Sequence, residues 1–151
     1  MLSGVVLAGA NLDQPDGGIL TAEAIAGLPL RKLELAVLSA CETGLGETAG
    51  GEGVFGLQRA FHVAGTRTVI ATLWKVDDQA TAALMSLFYH HLWREKKTPL
   101  EALRLAQLEL YRHPERIPKL ARLRGPDLER EISRPSETPE PATKPGDRAA
   151  V

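Results

Sequence analysis

The segment LELAVLSACETGLG runs an apolar stretch into the chain's one cysteine, Cys41, and then into glycines. A thiolate is the most nucleophilic side chain a protein carries, so a cysteine at the mouth of a loop raises covalent catalysis. Residue type alone argues the other way, because cysteine usually serves as a small buried hydrophobe. A nucleophilic cysteine also needs a base within hydrogen-bond reach, usually histidine. The chain has four: His62, His90, His91 and His113. His62 falls nine residues into the helix that follows the glycine loop, about 13 Å along at 1.5 Å per residue. His90 and His91 lie farther down the next helix and fit packing or surface roles. His113 ends a helix that can return toward the same edge, although His-Pro is also an ordinary helix stop. The residues supply a nucleophile and no convincing base.

Two further clusters bear on chemistry. GLGETA, Gly44 to Ala49, matches a loose GxGxxA dinucleotide fingerprint between a strand and a helix. Glu47 and Glu52 put negative charge where a pyrophosphate would sit, and the helix begins late, near Gly53. No Gly-Lys-Ser/Thr follows, which excludes a Walker loop. The second cluster is Asp77–Asp78, an acidic pair ahead of an apolar-periodic segment, where helix capping competes with a substrate role. One carboxylate can cap while the other stays available. No metal and no cofactor is expected.

The elements that must position these residues read as follows. GVVLAGA and ILT, on either side of the turn cluster NLDQPDGG, form a hairpin. Thr21 caps a brief helix through Leu28 with Glu23 in its first turn, and Pro29 stops it. LELAVLSA is a continuous apolar run of strand length, as in a strand covered on both faces. GVFGLQRAFHVAG follows as a helix ending at Gly65, and TRTVIATLW is the next strand. Ala80, Leu84, Leu87, Phe88, His91 and the stem of Glu95 then recur at helical spacing. TPLE opens another helix with Thr98 as N-cap, Pro99 at its first position and Glu101 completing a capping box, running to about Arg112. Beyond RHPERIP the periodicity fades into a Pro-rich polar tail. Strand–helix–strand–helix order predicts an α/β fold with a mostly parallel sheet. In such sheets, ligands sit outside the carboxyl ends of the strands, where both Cys41 and the Asp77–Asp78 pair fall.

With 151 residues and 44% apolar content, the chain suffices for one domain with a core. A net charge of −1 offers no electrostatic case for nucleic acid or an anionic membrane. One cysteine cannot close an internal disulfide, and the first residues lack a basic n-region and a long apolar run, so a cytoplasmic location is expected.

LAVLSACETGLG, GEGVFGLQRAFHVAGTRTVIATLWKVDDQAT and FYHHLWREKKTPLEALRLAQLELYRHP together resemble the CHAT domain, a caspase-like module often found with TPR repeats in bacterial proteins. The resemblance covers roughly residues 2 to 114. It implies a caspase-like three-layer α/β/α sandwich of the clan that includes separase and gingipain, and a Cys–His dyad with Cys41 as nucleophile. The family's histidine stands in a segment resembling HFATHG, upstream of what SGVVLAGAN matches. The family also closes its domain with a strand resembling WAAFVLSG soon after the His-Pro pair, where this chain has its tail. These departures imply a fold incomplete at both ends: a partial CHAT domain over 1–125 and a Pro-rich disordered tail over 126–151.

Two functions follow from the resemblance. One is the nucleophile-bearing part of a cysteine endopeptidase, inactive until a partner chain or an upstream, TPR-containing segment supplies histidine. The other is a non-catalytic caspase-like interaction module. In the first, protein or peptide is the substrate, with no nucleic acid and no membrane as partner, and Glu42, Asp77 and Asp78 are candidate substrate-binding residues. Several clan members place an acid at the base of the pocket for the residue before the scissile bond and cut after Arg or Lys. Asp77 or Asp78 could play that part, with Lys75 close enough to neutralise one of them.

Overall fold

In a computed structural model, residues 4–8, 18–38, 52–72 and 76–134 are described. They fall into two units, Met1–Asp78 and Gln79–Val151.

The first unit opens with the expected hairpin. Strands β1 (Gly4–Val6) and β2 (Ile19–Thr21) pair antiparallel, with Gly4 opposite Thr21 and Val6 opposite Ile19. Thr21 ends the strand and also caps α1 (Ala22–Ala26), its Oγ1 accepting the Ala24 N–H at 3.1 Å. That bond satisfies one of the amides a helix start leaves open. Strand β3 (Leu35–Leu38), helix α2 (Glu52–Val63) and strand β4 (Thr68–Ala71) then form a strand–helix–strand unit. β3 and β4 pair in parallel from Leu35 opposite Thr68 to Leu38 opposite Ala71.

What joins α2 to β4 is a glycine turn. Gly65 has φ +105°, its N–H bonds the His62 carbonyl at 3.0 Å, and the Thr66 N–H reaches back to the Phe61 carbonyl at 3.0 Å. This pair of bonds is a Schellman motif, which returns the last carbonyls of the helix to amide partners. A Cβ at Gly65 would lie 2.9 Å from Arg31 Cγ and 3.1 Å from Arg31 Cα. Glycine is therefore needed there for its conformation and for the close approach of the α1–β3 connection. The same connection is bonded to the helix end, Leu30 N–H to the Ala64 carbonyl at 2.9 Å. Ile25 of α1 is fully buried where α1 packs on α2; Ala60 of α2 and Ala64 just beyond it are buried in turn.

The parallel pair is less covered than its apolar run predicts. Among the described residues of β3 and β4, Ala36 is buried and the others are half-buried. A two-stranded sheet has two edges, and neither strand gains the cover of an inner position.

In the second unit, α3 (Asp78–Tyr89) continues into a π-helical turn, His90–Arg94. The buried face is Ala83, Leu87, Phe88 and His91, with Ala80 and Leu84 of the expected stripe only half-buried. Lys96, at φ 56°, then turns the chain, and the Lys97 N–H bonds the His91 carbonyl at 3.1 Å. Helix α4 (Pro99–Arg112) starts with the predicted capping box: Glu101 N–H to Thr98 Oγ1 at 3.4 Å, and Thr98 N–H to Glu101 Oε2 at 3.1 Å. Both bonds from Thr98 to the carboxylate, the side-chain one foremost, hold the exposed Glu101 carboxyl below its ordinary value.

After a 3₁₀ turn, Pro114–Arg116, come α5 (Ile117–Arg122) and α6 (Gly125–Ile132). The expected start of the tail, residue 126, falls inside α6. Residues 135–151 lie outside the described residues. Helix α6 escapes a periodicity reading because its most buried residue is an acid: Glu131, 9% exposed, with Lys119 Nζ 2.7 Å from Oε2. Leu120 and Ala121 of α5 complete the buried set with Ala102 and Ala106 of α4.

Two stability measurements check this description. Gly65→Ala is expected to lower folding stability by about 1–3 kcal/mol through the strained left-handed backbone alone, plus the clash with Arg31. Gly27→Ala is the control: φ is −80° and the added Cβ lies 3.5 Å from its nearest neighbour, the Ala24 carbonyl oxygen, so its melting temperature should hold or rise slightly.

The hydrogen bond from Lys119 holds the Glu131 carboxyl below its ordinary value, helped by the Lys119, Arg134 and Arg116 charges and opposed by burial. A folded-state value below the unfolded one stabilises the fold above the unfolded value and is lost as pH falls through the folded value. Glu131→Gln should therefore melt below the parent chain at pH 7, with the gap closing toward pH 3. A gap that persists at pH 3 would assign the loss to packing instead.

Candidate active site

Parallel pairing gives β3 and β4 a common carboxyl edge, since Leu38 and Ala71 lie opposite each other at the ends of the ladder. The chain leaves that edge twice. From Leu38 it passes through residues 39–51, which carry Cys41 and Glu42, and re-enters the described structure at Glu52, the start of α2. Cys41 and Glu42 themselves lie outside the described residues. From Ala71 it passes through Thr72 to Val76, Asp77 and Asp78.

Asp77 occupies the residue before α3 and Asp78 its first turn, and both are exposed. Carboxylates there are favoured by the positive end of the helix dipole and by the amides the first turn leaves open. Asp77 makes an interaction within the structure and is not without a partner. The capping part of the sequence reading fits this placement.

All four histidines are described, and each has a carbonyl or carboxylate oxygen near a ring nitrogen. His62 stands in the last turn of α2, its Nδ1 3.2 Å from the Thr66 carbonyl oxygen, where the ring braces the Gly65 turn. His90 Nε2 lies 3.6 Å from Glu95 Oε1. His113 Nδ1 lies 3.3 Å from Glu115 Oε1. His91 is 8% exposed, its Nδ1 3.1 Å from Glu95 Oε2 and its Nε2 3.8 Å from Glu109 Oε2. Neither approach has hydrogen-bond geometry, and both ring nitrogens are left without a hydrogen-bond partner.

Around His91 the second unit holds a polar cluster that sequence spacing did not reveal. Arg116, nearly buried, pairs with Glu109 of α4 and donates to the Glu131 carbonyl oxygen at 2.6 Å. Its partners stand 7 and 15 residues away across two helix breaks, so no helical i,i+4 rule could find them. Among the described residues, no group of three or more His, Cys, Asp or Glu side chains is arranged to hold a metal ion. No helix among them is long and apolar enough to cross a membrane.

Comparison with known proteins gives one match. The family model of the CHAT domain matches residues 1–139. No curated protein and no solved structure matches the chain. The family match extends beyond the stretch of sequence resemblance, which ended near residue 114, and takes in α5 and α6. A match to the family model over residues 1–139, nearly the whole sequence, makes this chain a member of the CHAT-domain family.

Proposed function

We propose that the chain is the nucleophile-bearing part of a CHAT-type cysteine endopeptidase, with Cys41 as nucleophile and the histidine supplied by a preceding segment or a partner chain. The observation that carries this reading is the family match over residues 1–139, with Cys41 three positions in sequence after Leu38, which ends β3 at the carboxyl edge of a parallel pair. A mixed α/β fold with one parallel pair is compatible with a caspase-like α/β/α sandwich, which we take as the architecture of the completed domain.

In the completed site the Cys41 thiolate attacks the scissile carbonyl carbon, and the histidinium protonates the departing amine. Water, deprotonated by the same histidine, then releases the acyl group and restores the thiol. Backbone N–H groups near Cys41 hold the oxyanion. Glu42, Asp77 and Asp78 line the substrate side, and an arginine before the scissile bond would pair bidentately with the aspartate not used in capping. The substrate is protein or peptide, the setting is cytoplasmic, and a TPR-containing segment is the natural companion. Residues 1–125 form the body of the domain and the Pro-rich end is its tail, with α6 at the junction.

The second reading, a non-catalytic interaction module, is favoured by the placement of the four histidines, each beside a carbonyl or carboxylate oxygen of its own surroundings. Joining the chain to an upstream segment with an in-frame His-Gly pair separates the two. Peptide hydrolysis abolished by Cys41→Ala supports the peptidase, and its absence in the folded, joined protein leaves the interaction module.

For the chain by itself, a thiol without a base should ionise near its free value of about 8.5, with a few per cent thiolate at neutral pH. Iodoacetamide modification rates should accordingly rise through that value. A reactive thiolate persisting below pH 6, or hydrolysis lost in Cys41→Ala, would show that this chain carries its own base.

In the joined protein, a peptide library varied before the scissile bond should favour arginine over lysine and both over apolar residues. Asp77→Asn or Asp78→Asn should weaken that preference. A basic preference untouched by both changes would make the pair purely structural.

A further inference from the structure

The second unit carries an aromatic platform that owes nothing to Cys41. Trp93 stacks on Tyr89, with ring centroids 4.4 Å apart and planes 17° from parallel. Tyr89 in turn meets the fully buried Phe88 at 5.1 Å. The stack is therefore anchored to the core at one end, while Trp93 at the other is 61% exposed. A single exposed apolar residue needs no explanation, but a ring held in place by a stack is a flat surface already formed. It stands on the π-helical turn His90–Arg94, and the chain leaving that turn is basic, with Lys96 and Lys97 both exposed.

The end of α6 lies beside this turn. Arg134, the last described residue, lines one groove together with His91, and Glu129 of α6 accepts from Arg94 Nε at 2.9 Å. The sequence that follows is PSETPEPATKPGDRAAV. It has too few apolar residues to make a core, so it would take order only from a surface beside it. Pro135, Pro139 and Pro141 favour polyproline II, a helix of three residues per turn. In that helix Glu137 and Glu140 share one face, and the three prolines fall on the other two. At 3.1 Å per residue, residues 135–141 extend about 19 Å, longer than the five-residue turn they would cross.

We propose that residues 135–141 dock on the Tyr89–Trp93 platform as a polyproline II segment, with proline rings on the indole face and Glu137 and Glu140 toward Lys96 and Lys97. Aromatic surfaces take up proline-rich segments in this way, because a preformed helix loses little freedom on binding. The rings supply the affinity. The charges set the direction, since exposed ion pairs add little by themselves. Tight binding is not needed. A tether this short holds the segment at an effective concentration in the mM range, so a contact with a Kd of about 1 mM keeps it docked about half the time.

The test is NMR on the full chain, labelled with ¹³C and ¹⁵N. Cross-peaks are expected between the Trp93 indole protons and the ring protons of Pro135, Pro139 or Pro141. Pro139→Ser combined with Pro141→Ser should remove the cross-peaks to those two positions and move the Trp93 indole N–H signal, whereas Pro145→Ser should leave that signal in place. Trp93→Ala, its folding checked by a melting curve, should lower the ¹H–¹⁵N NOE of residues 136–138 and 140 to the level of residues 146–151. The proline variants keep the test open should Trp93→Ala fail to fold. In a mixture of labelled and unlabelled copies, cross-peaks confined to one chain support the proposal. Cross-peaks running between chains would assign the platform to a second copy and overturn it. The absence of any cross-peak, or an indole signal indifferent to the double proline change, would overturn it as well.

Discussion

The backbone turn at Gly65 is the constraint on which the first unit depends. A left-handed residue pressed against Arg31 lets α2 end, returns its carbonyls to amide partners, and sends the chain straight into β4. Arg67 and Thr68 then donate to the carbonyls of Leu33 and Glu34, so the parallel ladder begins within three residues of the turn. Parallel pairing rewards the chain only after a crossover has been closed, and here one glycine closes it. Everything at the carboxyl edge inherits its position from that register. This includes the departure points of the segments that carry Cys41 and the Asp77–Asp78 pair.

The second unit is organised by charge as much as by apolar contact. Arg116 joins α4 to α6 through Glu109 and the Glu131 carbonyl, while Lys119 fastens the Glu131 side chain to α5. A nearly buried ion pair such as Arg116–Glu109 adds little net stability relative to apolar packing, but it is severe about geometry, because removing one partner strands the other. Such a network suits short helices. α5 has six residues and α6 eight, too few to hold themselves in water, and their apolar contribution is small. His91 sits beside this network with its own needs unmet, which distinguishes it from the other three histidines.

Membership of the CHAT family and the placement of the four histidines beside oxygens of their own surroundings pull in different directions, and they do so at separate places in the molecule. The family relation speaks through the strand edge and the motif around Cys41. The histidines speak through their local partners: a turn carbonyl for His62 and glutamates for the rest. On the proposed reading, a base from outside this sequence would leave all four where they are.

Much of the local structure was legible in the residues themselves. Thr21 and Thr98 announce their helices because a hydroxyl at that position satisfies an amide within three residues, a matter of chain geometry alone. Gly65 announces the end of α2 for the same reason, and the motif around Cys41 carries the family through residue types in fixed order. Tertiary structure decided the rest. It turned the buried face of α3 onto Ala83, left β3 and β4 half-covered, and made a helix of 125–132 around an acid that spacing assigns to solvent. It also brought Glu109, Arg116 and Glu131 together and left His91 unsatisfied among them. Caps and turns are settled by neighbours within a few residues. Burial and the matching of charge depend on groups far apart in sequence, which meet only when the helices pack.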